Sequence, residues 1–239
     1  MKRVLLVMLS FLVLLTGCGK RENELVMVTE AGFAPFEFYK NNEIVGVDID
    51  IANAIADKLG KKLIIKDVAF DSIINEVKSG KADIGAAGIS YTEERSKQVS
   101  FSNDYFTSKI VVIIKNTEDE NNFSDLNNKR IAVQLGSTAD TFVTKKYNSA
   151  QITRQKKYLA AIEDLKNDKV DCVVMDELPA KEIIEKNTNL KIMNKVLSSE
   201  NYGMVVNKKN KELLNTINEV IEELKSTGKI DEYVLNYTE

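Results

Sequence analysis

The chain has 239 residues, a formal net charge of −3 and no histidine. The absence of imidazole excludes serine–histidine and cysteine–histidine catalysis and argues against a zinc site, although an enzyme based on carboxylates or arginine stays open. The mildly acidic balance provides no basic face, so no nucleic-acid partner is expected.

The first residues, MKRVLLVMLSFLVLLTGC, have the composition of an export signal. Two basic residues precede an apolar run that is too short to span a bilayer comfortably, and small residues follow. The ending LTGC resembles the bacterial lipobox, although an ordinary signal peptide with an incidental cysteine is the alternative. We predict a lipoprotein signal peptide over 1–17, a lipid such as palmitate on Cys18 and a tether over 18–24. The protein would then be exported and anchored to the outer face of the cell membrane.

The residues after the tether alternate between strand and helix patterns. LVMVT (25–29) predicts a strand, and the apolar spacing of IANAIADKLG (51–60) predicts a helix that Gly60 ends. A strand (KKLIIKDV), a helix that Asp71 or Ser72 could cap (IINEVKSG) and a short buried strand (ADIGAAG) come next. This order is typical of a parallel α/β sheet.

A second series of the same kind begins after the polar break KNTEDENNFSDLNNK. RIAVQL predicts a strand, GSTADTFVTKKY a turn into a helix, and YLAAIEDLKNDKVDCVVMD a helix followed by a strand. Cys172 lies in the apolar run of that strand, so we expect a buried thiol and no internal disulfide. Two amphipathic helices, NKELLNTINEVIEELKSTG and KIDEYVLNY, complete the pattern.

The two series share an internal similarity. IINEVKSGKADIGAAG aligns with AIEDLKNDKVDCVVMD when Ile74 is matched to Ile162, although any helix–turn–strand unit with lysine-rich turns would look similar. In this register Gly88 and Asp176 fall at the same place, just past a buried strand. Ligands of open α/β sheets bind at the carboxyl ends of strands. The sequence therefore predicts two similar lobes that face each other across a cleft.

Several residues near these strand ends could hold a carboxylate. Gly88 allows close approach to the backbone, Ser90 offers a hydroxyl, and Arg95 could grip a carboxylate with two parallel hydrogen bonds. A solvated turn is the alternative for Arg95. Ser137 and Thr138 follow a strand and begin a helix, which is a natural anion site, although Ser137 could be a plain helix cap.

Asp176 could supply the opposite charge for a cation, or cap the helix that follows it. An arginine with a helix start for an anion and a carboxylate for a cation together specify a ligand that carries both charges. The head group of an α-amino acid is such a ligand.

Six stretches resemble, in order, the polar amino acid-binding proteins of bacterial ABC importers, which are solute-binding proteins of family 3. They are TEAGFAPFEF, VGVDIDIANAIADKLG, AFDSII, GKADIGAAGISYTEERSKQVSFSNDYF, LGST and VDCVVMDE. The resemblance implies an α/β fold of two similar lobes with mixed, mainly parallel sheets, joined by a two-strand hinge with the ligand in the interlobe cleft. Lobe 1 would comprise 25–112 and 200–239, lobe 2 would comprise 113–199, and IVVIIK and NYGMVV would be the connecting strands.

The resemblance also implies a role for each matched residue. Arg95 and Thr138 match residues that bind the ligand carboxylate, and Asp176 matches the one that binds its ammonium group. Ser90 and Gly88 match head-group contacts. Phe33 and Phe70 match aromatic residues that sandwich the ligand side chain, whereas Phe36 and Phe38 are expected to pack underneath.

Glu30 occupies a position where related binders of arginine, lysine and histidine often place a carboxylate, which favours a basic amino acid. The same residue also occurs in relatives that bind cystine or neutral amino acids such as glutamine, so those ligands stay open. Gln134 and Met175 leave the predicted pocket floor uncharged. A dehydratase of prephenate-like acids on the same fold is a further alternative, but Asp176 would then have no ammonium group to bind.

The resemblance implies a binding protein and not an enzyme, with no catalytic residue, cofactor or metal. Its partners would be a free L-amino acid, a membrane-embedded ABC permease with a cytoplasmic ATPase, and the membrane through the lipid. We expect a monomer that is open without ligand and closed around it.

Overall fold

The computed structural model describes residues 23–238. The predicted signal peptide, the lipidated Cys18 and most of the tether lie outside this range. The first strand begins at Glu24, one residue before the predicted start of the fold, because Glu24 already pairs with Lys62 in parallel register.

The described chain contains thirteen strands and eight α-helices, numbered in chain order. The strands are β1 (Glu24–Thr29), β2 (Phe38–Lys40), β3 (Glu43–Val45), β4 (Lys62–Asp67), β5 (Ile84–Gly85), β6 (Ser100–Phe101), β7 (Phe106–Lys115), β8 (Arg130–Gln134), β9 (Gln151–Gln155), β10 (Cys172–Asp176), β11 (Leu190–Ile192), β12 (Ser198–Tyr202) and β13 (Val205–Val206). The helices are α1 (Val47–Leu59), α2 (Ile73–Lys78), α3 (Glu93–Ser96), α4 (Thr138–Lys146), α5 (Tyr158–Lys166), α6 (Glu177–Glu185), α7 (Lys211–Ser226) and α8 (Lys229–Thr238).

Two mixed sheets form the two lobes. The first has the order β4-β1-β5-β13-β6, with β1 parallel to β4 and β5 and with β13 antiparallel to its neighbours. The second has the order β11-β7-β10-β8-β9, with β12 paired to β7. In it β8 is parallel to β9 and β10, whereas β7 is antiparallel to its partners. The predicted α/β class with two mixed, sheet-centred lobes is confirmed.

The chain crosses between the sheets twice at one place. Backbone hydrogen bonds join Tyr105 to Tyr202 (3.0 Å) and Ser102 to Met204 (2.9 Å) where the two crossing segments run side by side. The outgoing crossing therefore lies before β7, and the segment IVVIIK that we expected to connect the lobes is inside the second sheet. The reason is visible in its burial, because residues 110–114 alternate between two different hydrophobic cores and need cover on both faces.

Of the predicted helix ends, one is confirmed and one is wrong. Gly60 ends α1 in the left-handed conformation, with φ 63°, as predicted. The expected side-chain cap of α2 by Asp71 or Ser72 is wrong, because a 3-10 turn over Phe70–Ser72 leads directly into the helix and makes no such bond.

Cys172 is a buried free thiol, as predicted. Between residues 23 and 238, no helix has both the length and the apolar character needed to cross a membrane.

Candidate functional site

A small cavity lies between the two lobes, where the parallel strands of both sheets end. Its lining contains every predicted ligand-binding residue except Met175, and three others: Glu30, Phe33, Glu37, Phe70, Ala87, Gly88, Ser90, Arg95, Gln134, Ser137, Thr138, Tyr158 and Asp176. The cavity has a volume of about 10 Å³, which is roughly the room that one water molecule needs. An amino acid can enter only if the lobes part or side chains move.

A wider groove of about 650 Å³ adjoins the cavity. Phe70, Arg95 and Thr138 line both spaces, so these three side chains stand at the boundary between the enclosed cavity and the open groove. The groove is also lined by residues of both lobes, which makes it the natural route into the cleft.

Position 88 requires glycine because of its backbone conformation and because of the neighbouring Phe33 ring. Its φ of 51° is left-handed, and a Cβ atom there would meet the Phe33 ring at 2.8 Å. Its N–H donates to the Asp48 carboxylate at 3.1 Å. This fixes the loop after β5 against lobe 1, next to the ring that lines the cavity.

Arg95 joins the two lobes through its guanidinium group. Thr92 caps α3 by accepting the Arg95 N–H at 3.1 Å. The guanidinium donates to the carbonyl of Ser90 at 2.7 Å in lobe 1 and to that of Gly136 at 2.9 Å in lobe 2. It lies 5.4 Å from the centre of the Phe70 ring. Burial lowers the pKa of Arg95, and nearby carboxylates, above all Glu200, act against that shift. The guanidinium group is therefore held at the cavity by two backbone carbonyls, and its other N–H groups can donate hydrogen bonds to an anion.

Glu200 binds hydroxyl groups from both lobes and was missed by the sequence analysis. One of its carboxylate oxygens accepts from the Ser90 hydroxyl at 2.6 Å and also from the Thr138 hydroxyl. Ser137, by contrast, accepts the N–H of Asp140 at 3.0 Å and so acts as the cap of α4. Because the two hydroxyls donate to Glu200, their oxygens face the cavity as acceptors, and a ligand carboxylate must rely on N–H groups and Arg95.

Asp176 ends β10 and occupies the N-cap position of α6, but its side chain does not cap the helix. Its Oδ1 atom accepts from the Ser108 hydroxyl at 2.7 Å and from the Tyr202 hydroxyl. Burial raises the pKa of Asp176 to about 6, although these two hydrogen bonds act in the opposite direction. The arrangement presents a buried carboxyl group that is mostly ionised at neutral pH and that a cationic group would stabilise.

Glu30 is 1% exposed and is engaged by lobe 2. The Gln134 amide donates to its Oε2 atom at 3.0 Å, and the Lys157 ammonium lies 3.0 Å from its Oε1 atom. Lys157 also lies 3.5 Å from Asp67. Burial raises the pKa of Glu30, and the hydrogen bond and charge of Lys157 partly oppose this. The carboxylate predicted to select a cationic ligand is thus already paired with a cation of the protein itself.

Aromatic rings cover the apolar wall of the cavity. Phe33 stacks on Tyr158 of lobe 2 with centroids 5.7 Å apart, and Phe70 lines the same cavity. Phe36 is fully buried and makes an edge contact with Tyr202 at 5.1 Å, while Phe38 meets Tyr237 at 5.9 Å. Phe36 therefore packs beneath the wall, as expected, and Tyr158 is an aromatic neighbour of Phe33 that the sequence analysis did not identify.

The structure corrects the predicted floor of the pocket. Met175 does not line the cavity and is fully buried in the hydrophobic core. It is the neighbour of Asp176 in β10, and successive side chains of a strand point to opposite faces of the sheet. The floor instead includes Glu37, whose buried carboxyl group faces Asp48. Burial, followed by the charge of Asp48, raises the pKa of Glu37 well above its usual range.

Comparison with known proteins agrees with this geometry. The family model of bacterial extracellular solute-binding proteins, family 3, matches residues 25–239. ABC transporter arginine-binding protein 1 of Escherichia coli (strain K12) is 33% identical over 204 residues, which covers 83% of this chain and 84% of the relative.

Three of the similar solved structures illustrate the likeness in fold. A mutant of ArgBP from T. maritima has a TM-score of 0.87 at 39% identity and covers 91% of this chain and 96% of its own. An ancestral arginine-binding protein bound to arginine has a TM-score of 0.84 at 38% identity and covers 90% and 98%. An ancestral arginine-binding protein bound to glutamine has a TM-score of 0.82 at 38% identity and covers 90% of this chain and 97% of its own. This chain belongs to the bacterial extracellular solute-binding proteins of family 3, which are binding proteins and not enzymes.

Proposed function

We propose that this protein captures an L-amino acid with a cationic side chain, arginine foremost, and delivers it to an ABC permease. The observation that carries the proposal is the cavity itself. It combines an arginine, a buried aspartate and a second buried carboxylate among its lining residues. Those three charges complement the α-carboxylate, the α-ammonium and a cationic side chain.

Arg95 is the receptor for the α-carboxylate in this proposal. Its side chain bridges Ser90 and Gly136 of opposite lobes, so a carboxylate bound to it would lie where the two lobes meet. The start of α4 at Thr138 adds the positive end of a helix dipole. A bound ligand would therefore favour the closed form over the open form, since only the closed form offers all of these donors.

Asp176 is the receptor for the α-ammonium group. Both of its hydrogen bonds from hydroxyl groups end on one carboxylate oxygen, Oδ1. The Ser90 hydroxyl donates to Glu200 and can accept from the ammonium group at the same time. This set of acceptors fits an amino acid and has no counterpart in a keto acid, which disfavours the dehydratase alternative.

The side-chain end of the site is built from Glu30 and Asp67. Two carboxylates face one lysine there, which leaves a net negative charge for a cationic ligand. Arginine is favoured over lysine because the planar guanidinium can bond to a carboxylate and to the Gln134 amide oxygen together. The relatives named above, which are arginine-binding proteins by name, support the same choice.

A neutral polar amino acid such as glutamine, or cystine, is the second candidate. The observation that favours it is the Lys157–Glu30 ion pair, which already neutralises the selecting carboxylate. An ancestral arginine-binding protein similar to this chain was solved with glutamine, which supports a neutral side chain as a ligand of this fold.

The export route is part of the same proposal. The sequence LTGC supports cleavage before Cys18 and lipidation of its thiol, which would hold the protein at the outer face of the membrane. A monomer with two lobes hinged at residues 101–106 and 202–205 would then alternate between an open form and a closed form that the permease recognises.

A thermal-shift panel tests the proposal. The exported form would be titrated with the twenty L-amino acids, ornithine, citrulline and cystine. Ligand at roughly 1,000 times its dissociation constant should stabilise the protein by about 4 kcal/mol, a shift of several degrees. We expect arginine to give the largest shift and Glu30→Gln to reduce it selectively. A largest shift with glutamine or cystine would replace arginine by the second candidate, and no shift with any amino acid would refute the proposal.

A further inference from the structure

Lys157 reaches across the cleft from lobe 2 to the carboxylates that would receive a cationic side chain. It precedes α5, and its ammonium lies 3.0 Å from Glu30 and 3.5 Å from Asp67, both in lobe 1. We call these two carboxylates the cation subsite. The side chain of Glu30 is 2% exposed, whereas that of Lys157 is 45% exposed. The lysine side chain therefore has solvent beside it, and the glutamate side chain does not.

The cation subsite is held in place without Lys157. Asp67 accepts the Ala31 N–H at 3.0 Å and the Tyr39 hydroxyl at 3.3 Å, and Gln134 donates to Glu30 at 3.0 Å. These bonds keep both carboxylates aimed at one point whether or not the lysine is present. Lys157 is thus an occupant of the subsite and not its support.

We propose that Lys157 is a built-in competitor for the cation subsite and sets how strongly the protein prefers a cationic over a neutral amino acid. The inference rests on the proposed function, because it concerns the same cleft. A guanidinium that approaches Glu30 within hydrogen-bonding distance meets the Lys157 ammonium at 3.0 Å from the same carboxylate. Like charges at that separation repel, so the lysine must leave.

Lys157 can leave because its side chain is 45% exposed and its flexible stem can extend the ammonium group into water. A neutral side chain, by contrast, leaves the Lys157–Glu30 pair intact and gains no ion pair. The lysine therefore weakens the binding of cationic amino acids and has little effect on neutral ones of the same shape. Its role is to determine specificity, and it needs no contact with the α-carboxylate or α-ammonium group.

Arginine and citrulline provide a matched pair of ligands, since they have nearly the same shape and differ in side-chain charge. Isothermal titration would measure both on the wild type, on Lys157→Gln and on Lys156→Gln. Lys156 is the neighbouring residue, with an exposed side chain, so its substitution makes the same change in net charge outside the subsite. Lys157→Met, which keeps the apolar stem, serves as a second variant, and melting curves check that each protein is folded.

Lys157→Gln and Lys157→Met should bind arginine roughly tenfold more tightly than the wild type, since an ion pair between a buried and a half-exposed group no longer has to be broken. Citrulline affinity should change less than twofold, and Lys156→Gln should resemble the wild type with both ligands. Equal or weaker arginine binding by both Lys157 variants would overturn the inference while leaving the proposed function intact. A loss of affinity for both ligands would also overturn it and make Lys157 a clasp between the lobes. If the wild type binds neither ligand, both proposals fail together.

Discussion

Asp176 should make amino-acid binding depend on pH between 5 and 7. Its carboxyl group is buried, and burial raises its pKa to about 6. In the proposed complex, the α-ammonium group of the ligand pairs with the ionised form. At pH 7 about 90% of a group with this pKa is ionised and at pH 5 about 9%, so affinity should fall roughly tenfold between the two.

The charges around Asp176 set the direction of this effect. Glu200 raises its pKa, while the hydroxyls of Tyr202 and Ser108 lower it by donating to the carboxylate. The charge of a bound ammonium group adds to the lowering, so ligand binding at pH 6 should release a proton. Titration calorimetry in two buffers with different ionisation enthalpies measures that release directly.

The variant Asp176→Asn and a comparison of arginine with citrulline distinguish the titration of Asp176 from that of the other carboxylates. Both ligands carry the α-ammonium group, so both should lose the same factor at pH 5, whereas titration of Glu30 would weaken arginine alone. Asp176→Asn should bind both ligands at least 30-fold more weakly at pH 7, from the roughly 2–5 kcal/mol that loss of one partner of a buried charged pair costs. Its residual binding should no longer follow the wild-type pH profile. A wild-type affinity for citrulline that is flat from pH 5 to 7 would refute the assignment of Asp176 to the ammonium group.

Three further outcomes are expected. Arg95→Ala should lose roughly 30-fold or more in affinity for arginine and citrulline alike, since the α-carboxylate loses its charged partner, and calorimetry measures it. Glu200→Ala should weaken both ligands by roughly tenfold, because two hydroxyls at the cavity lose their shared acceptor. The ligand-free protein should melt a few degrees higher at pH 5 than at pH 7. Burial raises the pKa of Asp48 and of Asp176 from 3.8 to about 6. Each group therefore contributes stability that is fully present below its unfolded pKa and is lost as pH rises through its folded pKa. The loss is about 1 kcal/mol per group between pH 5 and 7.

Each of these outcomes has its own control. Normal binding by Arg95→Ala would show that another group receives the α-carboxylate, provided that the variant melts like the wild type. Tighter binding by Glu200→Ala would mean that this carboxylate competes with the ligand. The effect of pH on melting should shrink in Asp176→Asn, which no longer has one of the two groups, and an unchanged effect would assign it to other carboxyl groups.

Short local sequence patterns predicted part of the site. Arg95 follows a capping threonine three residues earlier, and Asp176 ends an apolar strand. Arg95 can therefore be placed at the start of a helix, and Asp176 at a strand end, from neighbouring residues alone. Gly60 was predicted at a helix end in the same way, and a helix cap was one of the two interpretations of Ser137. The order of strands and helices likewise predicted two α/β lobes.

The residues that the sequence analysis missed approach the site from distant parts of the chain. Glu200 lies 110 positions from Ser90, and Lys157 comes from lobe 2 to meet Glu30 in lobe 1. No periodicity of a helix or strand encodes such meetings, since they depend on how the two lobes face each other. Glu37 was missed for a different reason: a carboxyl group in an aromatic-rich loop looks exposed until its burial is known.

Met175 shows the limit of pattern analysis inside a buried strand. All five residues of β10 are buried, so alternation between polar and apolar side chains cannot tell which of them face the cleft. IVVIIK gave a related error, because a continuous apolar run fits a connecting strand and a central strand equally well. In both cases the neighbouring sheet layers decided the outcome.

A crystal structure of the exported form with L-arginine would test the central claim most directly. We predict that the α-carboxylate bonds to Arg95, the α-ammonium to Asp176 and the guanidinium to Glu30, with the Lys157 ammonium moved out of the cation subsite. Arginine bound outside the interlobe cavity, or bound within it with its guanidinium away from Glu30 and Asp67, would contradict the account.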